Sequence, residues 1–401
     1  MMTKLKKLLK NNLFVFIIIA GLIYFAPAIY LPSQANEKAI VTAIGIDKEE
    51  NNYSVSALIV IPTAEKTDSA NGVELINSTG VTLGDALNKM SLDIGKAIGL
   101  AHCDALVISD DVLNDDLRST LDYLNRSGEL TKNAMLFNSK QKAKDVLEAA
   151  VASKIVPALK LSTMIEYNKE HTISKDASLD AFYTEYYTPS SISMIPIIDT
   201  KENEGSSNSQ SDNGSGKINK ILNCNGDICV LKTGKKVATL SADNLSCYNA
   251  LKRNIKTGYI KLQNVNGEGY KNADIMLEIR KKNINKICKF EDGRPLIKYK
   301  GNLLLKVVEI NNENNDLNSL SEVETKINET VKIKLMEDIK NCLQYSRELA
   351  TNNNVDLFEY DNLFSAYESD KWSGFKEVYS EPKDYMPHVD VIIDVQIDGK
   401  F

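Results

Sequence analysis

At 401 residues, 43% of them hydrophobic, the chain is too long for one hydrophobic core and too apolar to be disordered as a whole, so two or three domains are expected. The formal net charge is −6. Setting aside the lysines that open the chain leaves about −10 on the remainder, an acidic surface that repels phosphate backbones and excludes nucleic acid as a natural partner.

Lys4, Lys6, Lys7 and Lys10 precede Leu13 to Leu31, a run that is apolar almost throughout, and no charge follows until Glu37. That length spans a bilayer, and the positive-inside bias puts the N-terminus in the cytoplasm and residues 36–401 outside. Ala26-Pro27-Ala28 and Ser33-Gln34-Ala35 loosely fit a small-x-small processing site, but the run is longer than the apolar core of a usual signal peptide, which favours a retained anchor over residues 1–35. No cysteine lies near its end to accept a lipid. Pro27 predicts a bend, which membrane helices tolerate.

Residues 36–200 read as an α/β domain. Ala39 to Asp47 and Tyr53 to Ile61, rich in β-branched residues and separated by Glu49-Glu50-Asn51-Asn52, predict a β-hairpin. Thr82 with Asp85 resembles a capping box, and Leu83, Ala86, Leu87, Met90, Ile94 and Ile98 then recur at helical spacing. Strand and helix alternate from there: a strand at Ala105–Ile108, a helix carrying Leu113, Leu117, Leu121 and Leu124, a strand at Ala134–Phe137 and a helix from Gln141 to Ala152. Another helix is expected from Ala158 to Lys169, and a tyrosine-rich stretch follows at Tyr183, Tyr186 and Tyr187.

Residues 201–217 hold little except Ser, Asn, Gly, Glu and Asp and predict a flexible loop or interdomain linker. Residues 218–312 read as a β-rich middle domain, with strands at Asp227–Lys232, Lys236–Leu240, Tyr259–Leu262, Ala273–Lys281 and Leu303–Ile310. Residues 313–401 read as a helix-plus-strand domain. Val323, Ile327, Val331, Leu335, Ile339 and Leu343 stripe a helix from Leu320 to Leu349. Val389, Val391, Ile393, Val395 and Ile397 mark one face of a closing strand expected to be half-buried and antiparallel.

Six cysteines are too sparse for a disulfide scaffold and allow more pairings than the sequence can rank. Asn225-Gly226 predicts a hairpin turn that sets Cys224 opposite Asp227 and Cys229 opposite Leu222, too far apart for easy bridging. The three histidines, His102, His171 and His388, show no metal spacing. His102-Cys103 abuts a buried strand and reads as structural, because catalytic His and Cys are brought together by the fold and not by adjacency. Asp390, Asp394 and Asp398 stand about 13 Å apart along a strand, beyond one ion's ligand shell. Trp372, the single tryptophan, reads as a packing anchor. No phosphate-binding loop, nucleophile elbow or dinucleotide fingerprint occurs; Gly267-Glu268-Gly269 is a lone turn signal. Catalytic, cofactor and metal residues are therefore expected to be none.

The chain resembles the Ger(x)C family, the C subunits of bacterial spore germinant receptors. The resemblance rests on Ala39 to Asp47, on the helix to Lys96 followed by Gly99-Leu100-Ala101-His102-Cys103-Asp104 and Ala105 to Ile108, on Leu121 to Arg126, and on Cys229–Lys232 with Lys236–Leu240. Asn354 to Phe358, Trp372 and Val389 to Gly399 close it in family order. Gln34-Ala35-Asn36-Glu37 departs from the family's lipoprotein cysteine and its Trp-Asp-Arg-like run; a spanning helix holds at least as firmly as acyl chains. The resemblance implies a three-domain α+β body on the outer face of the inner spore membrane; with the anchor read from the residues, the expected fold class is α+β, an N-terminal transmembrane helix followed by a multi-domain extracytoplasmic α+β body. It further implies a non-enzymatic subunit working with the multi-spanning A and B germinant-receptor subunits, without cofactor. The alternatives are an autonomous anchored ligand-binding module and, with no nucleophile or base to nominate, an extracytoplasmic hydrolase.

Overall fold

The computed structural model describes residues 38–60, 73–115, 117–152, 175–202, 220–252, 258–267, 270–311 and 320–398. The expected membrane anchor and the Ala158–Lys169 helix lie outside these residues, and no described helix is long and apolar enough to cross a membrane.

The expected hairpin is present: β1 (Lys38–Glu49) turns at Glu50, in left-handed geometry at φ 52°, into antiparallel β2 (Asn52–Val60), and β3 (Val73–Gly80) pairs on beyond it. Thr82 caps α1 (Leu83–Ile94) by accepting from the Asp85 amide at 3.1 Å, while Asp85 reaches back to the Val81 amide at 3.1 Å. Gly95 ends the helix at φ 64°. Ile98, expected on the helix, therefore lies past the left-handed cap in β4 (Ala97–Gly99), parallel to the start of β1.

β5 (Ala105–Ser109) runs parallel to β1. The single helix expected next is two, α2 (Asp110–Asp115) and α3 (Leu117–Ser127), which together still bury Leu113, Leu117, Leu121 and Leu124. β6 (Met135–Ser139) extends the parallel pairing, and α4 (Ala143–Ala152) crosses the opposite face. The sheet order is β3-β2-β1-β5-β6, with β4 also on β1. Ile44, Ile46, Leu106 and Ile108 meet α1, α2 and α3 on one side. Ala43, Ala105, Val107 and Phe137 meet α4 on the other. Two covered faces explain strands buried without alternation, as in other α/β layers.

Ser178 caps α5 (Leu179–Tyr186), whose Tyr183 and Tyr186 pack on the first of these cores. The chain continues through β7 (Ile192–Pro196), β8 (Asp199–Glu202), β9 (Lys220–Asn223), β10 (Ile228–Lys232) and β11 (Lys235–Leu240). β8 and β9 pair antiparallel with Glu202 opposite Lys220, and the Ser/Asn/Gly-rich segment between them lies, from residue 203 on, outside the described residues. β10 pairs with both β11 and β7. The hairpin expected around Asn225-Gly226 is thus absent. A turn does form there, with Gly226 at φ 88° and the Asn225 side chain accepting from the Asp227 amide, but β9 and β10 leave it for different sheets. Cys224 and Cys229 are unbridged.

α6 (Ala242–Lys252), which no sequence pattern announced, leads to β12 (Tyr259–Gly267) and to the long hairpin of β13 (Tyr270–Glu291) and β14 (Arg294–Asn311). Then come α7 (Leu320–Asn353), α8 (Tyr360–Tyr367), α9 (Ser369–Val378), α10 (Pro382–Tyr385) and β15 (His388–Asp398). The sheet order is β12-β13-β14-β15. Val331, Leu335, Ile339 and Cys342 of α7 and Phe358, Phe364 and Trp372 lie in the core with the sheet's inner face. β15 keeps the expected alternation but pairs parallel with β14, not antiparallel, because α7 to α10 carry the chain back before it starts. The outer face stays open and mixed in charge, with Lys298 3.4 Å from Asp390 across the strands.

Candidate functional site

Among the described residues, none of those weighed for catalysis or metal binding comes together; His171 lies outside the described residues. Cys103 is fully buried, with its sulfur 3.5 Å from the Ala105 carbonyl and its thiol pushed up to about 12 by burial; His102 is exposed. Asp390 faces Lys298 and His388, whose Nε2 is 3.1 Å away. Among the described residues no group of His, Cys, Asp and Glu is placed to hold a metal ion. Trp372 anchors the C-terminal core as expected, stacked on Phe364 at 4.8 Å between ring centroids, with its Nε1 donating to Asp361 at 2.7 Å.

Buried charge concentrates where the two halves of the body meet. Lys175, just before α5, pairs with Glu185 on that helix, and burial holds its ammonium below the usual lysine range. Glu185 also accepts from the Met194 amide of β7 at 3.2 Å. Beside this pair, in α6, Lys252 lies 2.7 Å from Glu359, which holds its charge on despite burial, as does the neighbouring Tyr248 ring 5.3 Å away. Lys286 of β13 donates to the Lys252 carbonyl at 3.0 Å, a cation placed on the negative end of α6.

A second cluster closes the C-terminal core. Asp356 is buried, its Oδ2 accepting from the Asp361 amide at 2.9 Å and the Tyr385 hydroxyl at 3.2 Å, and burial raises its carboxyl to about 6. Its Oδ1 lacks a partner, and the buried Tyr299 and Tyr360 hydroxyls are set against each other. Lys376 pairs with Asp361 at 2.9 Å and lies 4.2 Å over the Tyr385 ring. Sequence reasoning missed Asp356; its only signal was a lone acid among Val355, Leu357 and Phe358. It missed Lys252 and Glu359 too, since only the fold brings α6 to the turn before α8.

A cavity of about 400 Å³ opens between α6, α7 and the inner face of β12 and β14. Leu251, Ile260, Leu303 and Ile393 form its apolar floor; Asp243, Asp338 and Lys334 are at its rim. Lys334 is 3.2 Å from Asp338, whose carboxyl burial pushes above its ordinary range. Floor and rim can hold a small amphipathic solute; no group is placed for nucleophilic attack.

Residues 33–200 match the family profile Spore germination protein N-terminal domain, and residues 226–398 match Spore germination B3/ GerAC like, C-terminal. The chain belongs to the Ger(x)C spore-germination family. It is similar to Spore germination protein KC of Bacillus subtilis (strain 168), 20% identical over 408 residues that cover 92% of this chain and 91% of that protein. A shorter match, 24% identical over 134 residues, joins 31% of the chain to 35% of the candidate spore germination protein YfkR of the same strain. The crystal structure of the GerBC protein superposes with a TM-score of 0.51 at 15% identity, covering 88% of this chain and 96% of that one, a likeness of fold in a mixed α+β body.

Two residues of the opening Ger(x)C patch have structural tasks. A Cβ on Gly45 would stand 3.1 Å from Leu147 Cδ1 and 3.2 Å from the Ala143 backbone, so glycine lets α4 lie close on β1. Two residues on, the buried Asp47 carboxylate accepts from the Ala143 amide at 2.7 Å and the Lys144 amide at 3.1 Å, capping that same helix.

Proposed function

We propose that this chain is a non-enzymatic subunit of a nutrient germinant receptor, anchored by the helix expected over Leu13–Leu31 with its body on the outer face of the inner spore membrane. There it assembles with the multi-spanning A and B subunits and favours one state of the nutrient-responsive complex. The observation that carries this reading is the match of both halves of the body, in order, to the spore-germination family. The apolar N-terminal run, the acidic body and the lack of catalytic geometry among the described residues support it. The division into an α/β domain over 36–200, a segment over 201–217, a β-rich domain over 218–312 and a helix-plus-strand domain over 313–401 belongs to the same proposal.

The test is genetic. Spores lacking the chain should lose the response to at least one nutrient that wild-type spores answer, and the tagged full chain should co-purify from spore membranes with A and B subunits. An unchanged response to every nutrient tried, with the partner subunits still accumulating, overturns the reading.

The cavity beside α6 favours one second reading, an anchored module that captures a small solute by itself. Saturable binding of a small molecule by the purified full chain, abolished by filling the cavity with Ala250→Trp, would favour it over assembly.

A further inference from the structure

All six cysteines are unbridged, and among the described residues one pair of thiols meets. Cys342 projects from α7 into the core and donates to the Asn244 carbonyl at 3.7 Å, which sets its sulfur against α6. Cys247, one turn along α6 from Asn244, packs against the same core with its thiol beside that of Cys342. The two differ in access: Cys247 lines the 400 Å³ cavity, whereas Cys342 is fully buried behind it. The other four lie apart from this pair in the fold. Cys103 and Cys229 sit in the N-terminal core, Cys224 follows β9, and Cys288 is on the long hairpin.

We propose that Cys247 and Cys342 form a dithiol site whose oxidation to a disulfide staples α6 to α7 along the wall of the cavity. Thiols side by side on two packed helices meet the first requirement for a disulfide, sulfurs within reach of one another. The oxidant is a disulfide, either a small-molecule one or that of a dithiol oxidoreductase. Cys247, reached through the cavity, attacks one sulfur of the oxidant as thiolate, forming a mixed disulfide while the oxidant's other sulfur leaves. Cys342 then attacks the Cys247 sulfur and expels the second one. Two protein thiols become one disulfide, the oxidant is reduced to thiols, and the two protons pass to it. Burial and the neighbouring thiol both hold Cys247 well above the ordinary thiol range, so little thiolate exists at neutral pH and the exchange is slow unless the oxidant is abundant.

The staple closes a loop that contains β12, β13 and β14, and constraining a long loop stabilises the folded state. The experiment treats the full chain, purified in detergent, with excess glutathione disulfide at mildly alkaline pH and digests it without reduction. Mass spectrometry should find a peptide joining Cys247 to Cys342 as the dominant cross-link, with its mass lowered by two hydrogens. The unfolding midpoint should rise by roughly 5–10 °C and return on reduction. Cys342→Ser should instead trap glutathione on Cys247, and both it and Cys247→Ser should lose the oxidant-dependent rise. Wild-type chain that yields no 247–342 peptide, or joins other cysteines equally well, overturns the proposal whether or not the chain serves a germinant receptor.

Discussion

Asp356 is the residue whose chemistry departs furthest from its surroundings. Its carboxyl titrates at about 6 when folded against an ordinary 3.8, because burial disfavours the charge more than its two hydrogen bonds favour it. A group whose pKa folding raises adds stability that is fully present below the unfolded value and is lost as pH rises through the folded one. Asp356 should therefore withdraw about 2 kcal/mol as pH climbs from 4 to 7. Asp356→Asn keeps the shape without the charge. Urea unfolding at pH 5 and pH 7 should show the wild type losing stability between them and the variant losing clearly less; equal losses would refute the assignment. Glycines give a contrast at the same scale. A Cβ on Gly301 would stand 1.8 Å from the Asn283 carbonyl oxygen across the long hairpin, whereas one on Gly374 meets nothing within 4 Å on exposed α9. Gly301→Ala should destabilise by several kcal/mol through forced backbone movement, and Gly374→Ala should stabilise by about 0.5–1 kcal/mol, both read from urea midpoints.

The elements that the sequence made legible are those whose pattern and caps agree. The β1–β2 hairpin, α1 with its Thr82–Asp85 start, the buried β5 and β6 and the α7 stripe over Val331, Leu335, Ile339 and Leu343 fall where periodicity put them. α6 escaped because Asn244, Ser246 and Asn249 interrupt any apolar stripe on a helix that is buried nearly all round. The long hairpin was read as short strands because a register shift between Ile279 and Lys281 changes which residues face the core, putting Lys282 and Lys286 inward to donate to the α6 carbonyls. The orientation of β15 was not readable, since alternation reports a buried face and not a partner's direction. The cavity and the buried pairs were invisible because their members lie far apart in the chain. The α4 cap was hidden for the same reason: Asp47 reaches the helix across 96 and 97 residues. Asp47→Ala strips one buried and one part-buried amide of their acceptor and should destabilise by about 2–4 kcal/mol, with Asp47→Asn costing less. Hydrogen exchange should speed first at the Ala143 and Lys144 amides. Unchanged protection there would place the helix's N-terminal stabilisation elsewhere.

At the scale of the molecule, the small sheet β11-β10-β7 decides how the halves behave. Its strands alternate between two cores. Ile195 of β7, Ile197 just past its end, and Cys229 and Leu231 of β10 face the N-terminal core, while Ile192, Met194, Ile228 and Val230 face the C-terminal one. The sheet is thus a shared wall, built from strands on both sides of the Ser/Asn/Gly-rich segment, and neither core keeps its boundary if the wall melts. The buried pairs Lys175–Glu185 and Lys252–Glu359 lie against the same junction, where separating the halves would strand charges in a partly dry interface. The body should therefore unfold in one cooperative transition, although its length and its pair of family domains would ordinarily suggest two. Ile195→Ala, a buried truncation on the N-terminal side of the wall, should cost about 2–4 kcal/mol and lower the midpoint seen by the C-terminal Trp372 fluorescence as much as the midpoint seen by circular dichroism. Two separated transitions, with the tryptophan signal unmoved by the substitution, would mean that the wall joins the halves without coupling them. A movement imposed on one half, such as the docking of a membrane partner, could then not be felt in the other.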